Sequence, residues 1–179
     1  MKRPAVFMDR DNTLNIDPGY LSAPGRVELF DDVPRSLARL KKQGFLLIVL
    51  SNQSGIGRGF FGAEDVEAVN TRINELLSPE GLIDAFYYCP HAPEEQCGCR
   101  KPAIGLLEQA CADYDIELSR SFMIGDKRSD ILLGRAAGIP AVLIHHHCPI
   151  LCPEAQAAVA SFEEAVDWIL SQALFKDNS

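Results

Sequence analysis

The sequence predicts an α/β protein: one three-layer, Rossmann-like domain spanning residues 1–179, built on a mostly parallel sheet of five or six strands. Two observations carry that expectation. Short unbroken apolar runs alternate with stretches of helical periodicity, which is the pattern of βαβ units. Several of these runs then end in acids, hydroxyls or cations, where the carboxyl ends of parallel strands gather ligands.

The first run, Ala5-Val6-Phe7-Met8, has the length and flanks of a buried strand. It stops at Asp9-Arg10-Asp11-Asn12-Thr13. Two carboxylates one residue apart fall on the same side of an extended backbone. They repel each other unless a cation or a shared proton intervenes. The spacing suits a hard, oxygen-seeking ion such as Mg²⁺; the alternative is a solvated Asp-rich turn. Asn15 to Arg26 then carries the loop signals Asp17-Pro18-Gly19-Tyr20 and Pro24-Gly25. So near the acids, this loop can close over a substrate or act as a plain connector.

Asp32 is placed to cap a helix with Pro34 in its first turn, Val33, Leu37 and Leu40 on its buried face, and Gly44 at its close. Phe45 to Leu50 is again continuously apolar, as in a strand covered on both faces. It ends in Ser51-Asn52-Gln53-Ser54-Gly55. A serine hydroxyl and the next backbone N–H can bind two phosphate oxygens, although Ser-Asn also makes a good capping turn. Gly55-Ile56-Gly57-Arg58-Gly59 lacks the Lys-Ser/Thr of a phosphate-binding Walker loop, so no ATP site is read there. It is expected to be a flexible loop beside the pocket, with Arg58 as a candidate anion contact. The next helix should run from about Glu64 to Leu77, with Val66, Val69, Ile73 and Leu76 as its core stripe.

Leu82 to Tyr88 is the third candidate strand, and it runs straight into Cys89-Pro90-His91-Ala92-Pro93-Glu94-Glu95-Gln96-Cys97-Gly98-Cys99. Cys89, His91, Cys97 and Cys99 can close a tetrahedral Cys3His zinc site, though the spacing is tighter than the usual Cys-x2-Cys. Unrelated thiols are the alternative. Four protein ligands leave no open coordination position, so the expected role of Zn²⁺ is to staple loop 89–99. Arg100-Lys101-Pro102 follows at once and presents two cations that can neutralise a phosphate.

Pro102 should open a helix with Leu107, Ala110, Cys111 and Tyr114 on one side, which makes Cys111 a core thiol. Ser121 to Ile124 is the fourth strand, ending in Gly125-Asp126-Lys127-Arg128-Ser129-Asp130. Asp126 can complete a Mg²⁺ shell with Asp9 and the backbone carbonyl of Asp11. Asp130 reads either as an outer support or as a cap for the helix that ends at Gly138. Pro140 to Ile144 is the fifth strand. His145-His146-His147-Cys148, with Cys152 nearby, is either a second metal site or a solvated loop, and the loop is expected. Ser161-Phe162-Glu163-Glu164 is a capping box for a last helix over about 161–173, with Val166, Ile169 and Leu170 inward.

The composition excludes several classes. A net charge of −8 argues against general nucleic-acid and anionic-membrane binding, both of which want a basic face. No apolar run approaches the ~18 residues of a membrane span, and the N-terminus lacks the apolar stretch of a secretory signal. The expectation is a cytoplasmic monomer whose partner is a small phosphorylated metabolite. In that compartment six cysteines read as metal ligands or free thiols rather than disulfides.

The motifs together resemble the haloacid dehalogenase (HAD) superfamily over about residues 4 to 144. Asp9-Arg10-Asp11-Asn12-Thr13 is similar to its first motif, Ser51 to its second, Lys101 to its third, and Gly125-Asp126-x3-Asp130 to its fourth. Asn12 stands where that family usually has Gly; Gly serves where the backbone must take an unusual conformation, and Asn is the best-tolerated substitute, so the turn is expected to be kept. With the Cys-x-His and Cys-x-Cys loop, the order resembles the cap-less branch that holds heptose bisphosphate phosphatases and histidinol-phosphate phosphatases. The resemblance implies phosphomonoester hydrolysis through an aspartyl-phosphate. Asp9 would be the nucleophile, Asp11 the general acid and base, and Ser51 and Lys101 the phosphoryl-orienting groups. It implies substrate contacts at Asp17, Gly19, Tyr20, Asn52, Gln53, Ser54, Arg100 and Lys127. Removal of the 7-phosphate of D-glycero-D-manno-heptose 1,7-bisphosphate is the leading expectation, with histidinol phosphate as the second. A non-catalytic, zinc-stapled phosphate-binding module is the reading of another class.

Overall fold

A computed structural model of the chain describes residues 2–79, 83–146 and 152–176. Six parallel strands form one sheet: β1 (Ala5–Met8), β2 (Leu46–Asn52), β3 (Ala85–Cys89), β4 (Phe122–Gly125), β5 (Ala141–Ile144) and β6 (Ala157–Val159). Their order is β3-β2-β1-β4-β5-β6. The central strand β1 pairs with β2 through Phe7–Ile48 and with β4 through Phe7–Met123.

Alternation divides the core between two faces. Val6, Met8, Val49, Phe122 and Ile124 pack with α1 (Val33–Lys42), α3 (Ala63–Leu77) and α6 (Phe162–Lys176). Ala5, Phe7, Ile48, Leu50 and Met123 pack with α4 (Gly105–Asp113) and α5 (Arg128–Ala136). The result is the three-layer sandwich expected. The short α2 (Ser54–Gly57) follows β2 directly.

β3 is an edge strand with a wet side. Its tyrosines keep their hydroxyls outward, with Tyr87 Oη donating to Asp113 at 2.7 Å and Tyr88 Oη to Glu67 at 3.2 Å. It begins at Ala85, and Leu82, where the strand was expected to start, lies outside the described residues.

Several local expectations are corrected. Leu76 is exposed, and Leu77 takes its place in the core. The buried face of α3 runs through Val66, Val69, Asn70, Ile73 and Leu77. At ~100° per residue, Leu76 falls off the edge of that stripe. Asp32 does not cap its own helix; its carboxylate instead accepts the Glu163 N–H at 2.8 Å and caps α6. The capping box at Ser161 is displaced by one residue. Ser161 Oγ accepts Glu164 N–H at 3.2 Å, but the Glu164 carboxylate accepts the N–H of Ala160, at 2.9 Å.

Pro102 does not open α4. The chain from 100 to 104 is spent on turns, with Ala103 N–H bonded to Arg100 O at 2.9 Å and Gly105 N–H to Gly98 O at 3.2 Å. The helix therefore starts at Gly105. Cys111 is half-buried at the rim of the α4–α5 core rather than deep within it. Strand β6 follows Ala155-Gln156, in a stretch of helix-forming residues, and pairs with β5 through Leu143–Ala158. His147 and Cys148 lie outside the described residues. His146 is no solvated loop residue: its ring stacks on Phe30 at 4.5 Å and 18°.

Candidate active site

The carboxyl ends of β1, β2 and β4 meet at one spot because these strands are neighbours. Asp9 follows β1, Ser51 and Asn52 end β2, and Asp126 follows β4. Carboxylate oxygens of Asp9, Asp126 and Asp130 come within 4.8 Å of one another. Asp9 is 4% exposed, and Asp130 is fully buried.

Lys101 closes this group from the side of loop 89–99. Its Nζ donates to Asp9 Oδ1 at 2.8 Å and to Leu50 O at 2.5 Å, and stands 2.7 Å from Asp130 Oδ1. An ammonium has three protons, and here three acceptors surround it. Burial would lower the pKa of Lys101, but Asp130 and Asp9 together raise it above its ordinary value. Asp9 experiences the reverse: burial pushes its carboxyl up, while the charges of Lys101 and Lys127 bring it below the usual carboxylate range. Burial pushes Asp130 up to about 6, with Lys101 opposing. Burial and the negative charge of Asp9 push Asp126 up to about 8.

These observations suit a divalent cation. Asp126 Oδ1 is buried with no hydrogen-bond partner among the described residues; the Lys127 ammonium stands 4.0 Å away, and burial together with the neighbouring Asp9 carboxylate outweighs it and keeps the pKa high. Asp130 is otherwise engaged: one oxygen faces Lys101, and the other accepts Lys127 N–H at 3.1 Å. It therefore supports the N-terminus of α5 and holds Lys101 at once. A recess of about 20 Å³ lined by Asp9, Asp11, Lys101, Lys127 and Asp130 has room for one water-sized occupant.

Asp11 lines the same recess and is held differently from Asp9. The fully buried Arg10 grips its carboxylate with two bonds of 3.0 Å, and Asn15 and Gln53 add donors at 3.2 and 2.9 Å. Arg10 in turn donates to Asn70 of α3 at 3.1 Å. Neither Arg10 nor Asn70 stood out in the sequence; the available signal was a guanidinium between two motif acids. Ser51 is buried, with Gln53 Nε2 2.5 Å from its hydroxyl.

Above the recess opens a cleft of about 340 Å³ lined by Asp11, Asp17, Gly19, Tyr20, Asn52, Gln53, Ser54, Arg100, Lys101, Lys127 and Ser129. Ser129 is the one member that the sequence reading did not single out. Arg58 is not brought to the cleft: it is paired at the surface with Glu94 of loop 89–99, at 3.3 Å. Asn52 lines the cleft and also clamps the backbone of Lys101, accepting its N–H at 3.0 Å and donating to its carbonyl at 3.2 Å. A larger groove of about 630 Å³, lined by Phe30, His146 and Phe162, contains neither Asp9 nor Lys101.

Cys89, His91, Cys97 and Cys99 converge beside this cleft. Cys89–Cys97, Cys97–Cys99, His91–Cys99 and Cys89–His91 ligand atoms are 3.4, 3.5, 3.3 and 3.6 Å apart. With Zn–S near 2.3 Å and Zn–N near 2.0 Å, a tetrahedral zinc site has S–S edges of about 3.8 Å and S–N edges of about 3.5 Å, within a few tenths of an ångström of these separations, so the four residues fit the ion. Burial pushes the Cys89 thiol up to about 12. Cys97 is brought down to about 7 because hydrogen bonds from Cys89, Cys99 and the backbone outweigh its burial. The loop also steers its neighbours: Arg100 donates to His91 O at 3.3 Å, and Gly57 N–H to Pro90 O at 2.8 Å. Gly57 has to be glycine, since a Cβ there would come within 2.6 Å of the Ala92 backbone nitrogen.

Comparisons with known proteins identify the family of the chain. The HAD-hydrolase-like family matches residues 98–147. The chain is 40% identical over 167 residues to D-glycero-beta-D-manno-heptose-1,7-bisphosphate 7-phosphatase of Helicobacter pylori, covering 92% of this chain and 96% of that one. It is 38% identical over 177 residues to the protein of the same name from Escherichia coli, covering 94% and 88%. The fold superposes with a TM-score of 0.84 on D,D-heptose 1,7-bisphosphate phosphatase from B. bronchiseptica, solved with magnesium and phosphate, at 24% identity and over 95% and 99% of the two chains. With its acids, its lysine and its Cys-His loop gathered at the carboxyl edge of a parallel sheet, the chain belongs to the HAD-like hydrolases, in the family of the heptose bisphosphate 7-phosphatases.

Proposed function

We propose that the protein hydrolyses a sugar phosphomonoester, removing the 7-phosphate of D-glycero-D-manno-heptose 1,7-bisphosphate. The observation that carries this is the meeting of Asp9, Asp126 and Lys101 beneath a cleft lined by Arg100 and Lys127. One phosphate sits over Asp9, and the cations at the mouth hold the other end of a doubly phosphorylated substrate. Histidinol phosphate has no second phosphate for those cations, which favours the heptose.

Asp9 is the nucleophile. Its depressed pKa keeps it ionised at neutral pH, and Lys101 and Lys127 reduce its repulsion from phosphate oxygens. For Lys101 to contact a phosphoryl oxygen, it gives up one of its three present acceptors. Ser51 orients the phosphoryl group with a neutral donor. Asp11, set in place by Arg10, Asn15 and Gln53, protonates the leaving alkoxide and later takes a proton from the attacking water. Asp9, Asp126 and the Asp11 backbone carbonyl are the residues to hold Mg²⁺, which supplies charge neutralisation at the phosphoryl group. Cys89, His91, Cys97 and Cys99 hold structural Zn²⁺.

Asp17, Gly19, Tyr20, Asn52, Gln53 and Ser54 form the cleft walls that position the sugar. Arg58 is outside this set. A monomeric, single-domain, cytoplasmic enzyme is the setting this reading implies. No helix among the described residues is long and apolar enough to cross a membrane. Phosphate release with Mg²⁺ from the two heptose bisphosphate anomers and from histidinol phosphate tests the proposal. It expects kcat/KM at least tenfold higher on a heptose bisphosphate. Equal or better turnover of histidinol phosphate overturns the substrate, and no release from any sugar phosphate overturns the reaction.

A further inference from the structure

We propose that Asn12 is a positioning residue for the substrate-facing loop 17–21, acting through its side-chain amide as well as its backbone shape. This rests on the reading of the cleft as a sugar phosphate site. Asn12 has φ 60, a left-handed conformation that glycine adopts freely and asparagine tolerates. What asparagine adds is an acceptor. Its Oδ1 takes the N–H of Asp17 at 3.1 Å.

That bond starts a chain of braces. The Asp17 carboxylate accepts the N–H groups of Gly19 at 3.0 Å and Leu21 at 3.3 Å. Gly19 and Tyr20 both have positive φ, 97 and 54, so the loop holds two successive left-handed residues with no helix or strand to support them. Its backbone donors at 17, 19 and 21 are met by side chains instead. Leu21, 2% exposed, anchors the far end in the core. Tyr20 then meets the exposed Phe60 edge-on, with ring centroids 4.9 Å apart.

Asn12 can hold this loop because it is itself fixed. Its N–H donates to Asn15 O at 2.7 Å. Its carbonyl accepts His146 Nε2 at 2.6 Å, which requires the proton on that nitrogen. The His146 ring is clamped by its stack on Phe30. The amide oxygen of Asn12 therefore has a defined place, and the Asp17 end of the loop is set against the backbone that carries Asp9 and Asp11. The separation between the phosphoryl site and the sugar-contacting residues follows from that bond.

The test is Asn12→Gly, which keeps the backbone conformation and removes the amide alone. Hydrogen–deuterium exchange should speed up roughly tenfold at the Asp17 amide and across 17–21, while the amides of β1 stay protected. In the heptose bisphosphate assay, KM should rise roughly 3- to 10-fold with kcat within about twofold. The inhibition constant of inorganic phosphate, which does not reach loop 17–21, should not change. Asn12→Asp keeps the acceptor and should retain the exchange protection. Unaltered exchange at Asp17 in Asn12→Gly overturns the inference, as does an equal weakening of sugar bisphosphate and inorganic phosphate. If the wild-type protein turns over no sugar phosphate, the function is wrong, and the exchange experiment still decides the role of Asn12.

Discussion

Asp130 and Lys101 form a buried ion pair: the carboxylate Oδ1 lies 2.7 Å from the ammonium, and neither side chain is more than 2% exposed. The same ammonium meets Asp9 at 2.8 Å. One lysine thus couples the first motif, the start of α5 and the end of the zinc loop. Removing one partner of a buried pair leaves the other charge uncompensated, which costs about 3–5 kcal/mol. Lys101→Met should lower the urea stability of the metal-free protein by an amount of that order and abolish turnover. Wild-type stability in this variant would mean that Asp9 and Asp130 do not depend on Lys101.

Asp9→Asn keeps the size and shape of the side chain but removes the attacking oxyanion. Turnover should fall below detection while the circular dichroism spectrum and thermal transition persist. Near-normal activity in this variant would refute the nucleophile assignment.

Asp126 trades stability for function. Its folded pKa, pushed up to about 8 by burial and the Asp9 carboxylate, lies well above the ordinary carboxylate value of an unfolded chain. Between those values the folded state binds more protons than the unfolded chain, so stability from this group is present at low pH and lost as pH rises toward 8. Without metal, Asp126→Asn should therefore melt higher than wild type at pH 8, by roughly 5 °C, and show no such gain at pH 4. Adding Mg²⁺ should stabilise the wild type and not the variant. Equal Mg²⁺ stabilisation of both proteins, followed by thermal melts, would remove Asp126 from the metal site.

The zinc loop should be structural yet felt at the active site. Metal analysis is expected to find one zinc per chain. Stripping it with a chelator, or substituting Cys97→Ser, should expose loop 89–99 to proteolysis and lower kcat/KM at least tenfold. Arg100 hangs from His91 O, and Lys101 follows directly. Full activity after complete zinc removal would separate the loop from the cations it presents.

The carboxyl-end logic was legible from residue order alone. Apolar runs of three to six residues mark β1, β2, β4 and β5, and parallel strands gather whatever polar residues follow them. That rule puts Asp9, Ser51 and Asp126 at strand ends, where the structure has them, and local spacing groups the Cys-His set that converges in space. Asp32 has the local sequence of a cap for the nearest helix, yet its carboxylate caps a helix at a residue 131 positions away. Strand β6 was obscured because its alanines carry little strand preference, and β5 supplies its partner through the sheet.

Local pattern thus determines which segments are strands, which are helices and which side chains stand at their ends, because periodicity and steric preference act over a few residues. The pairing of Arg10 with Asn70, the capture of Lys101 by Asp130 and the exclusion of Arg58 from the cleft depend on contacts between segments remote in sequence. Those were decided by packing: a buried charge takes the partner that the folded chain brings within reach, and no neighbouring residue in the sequence records which one that is.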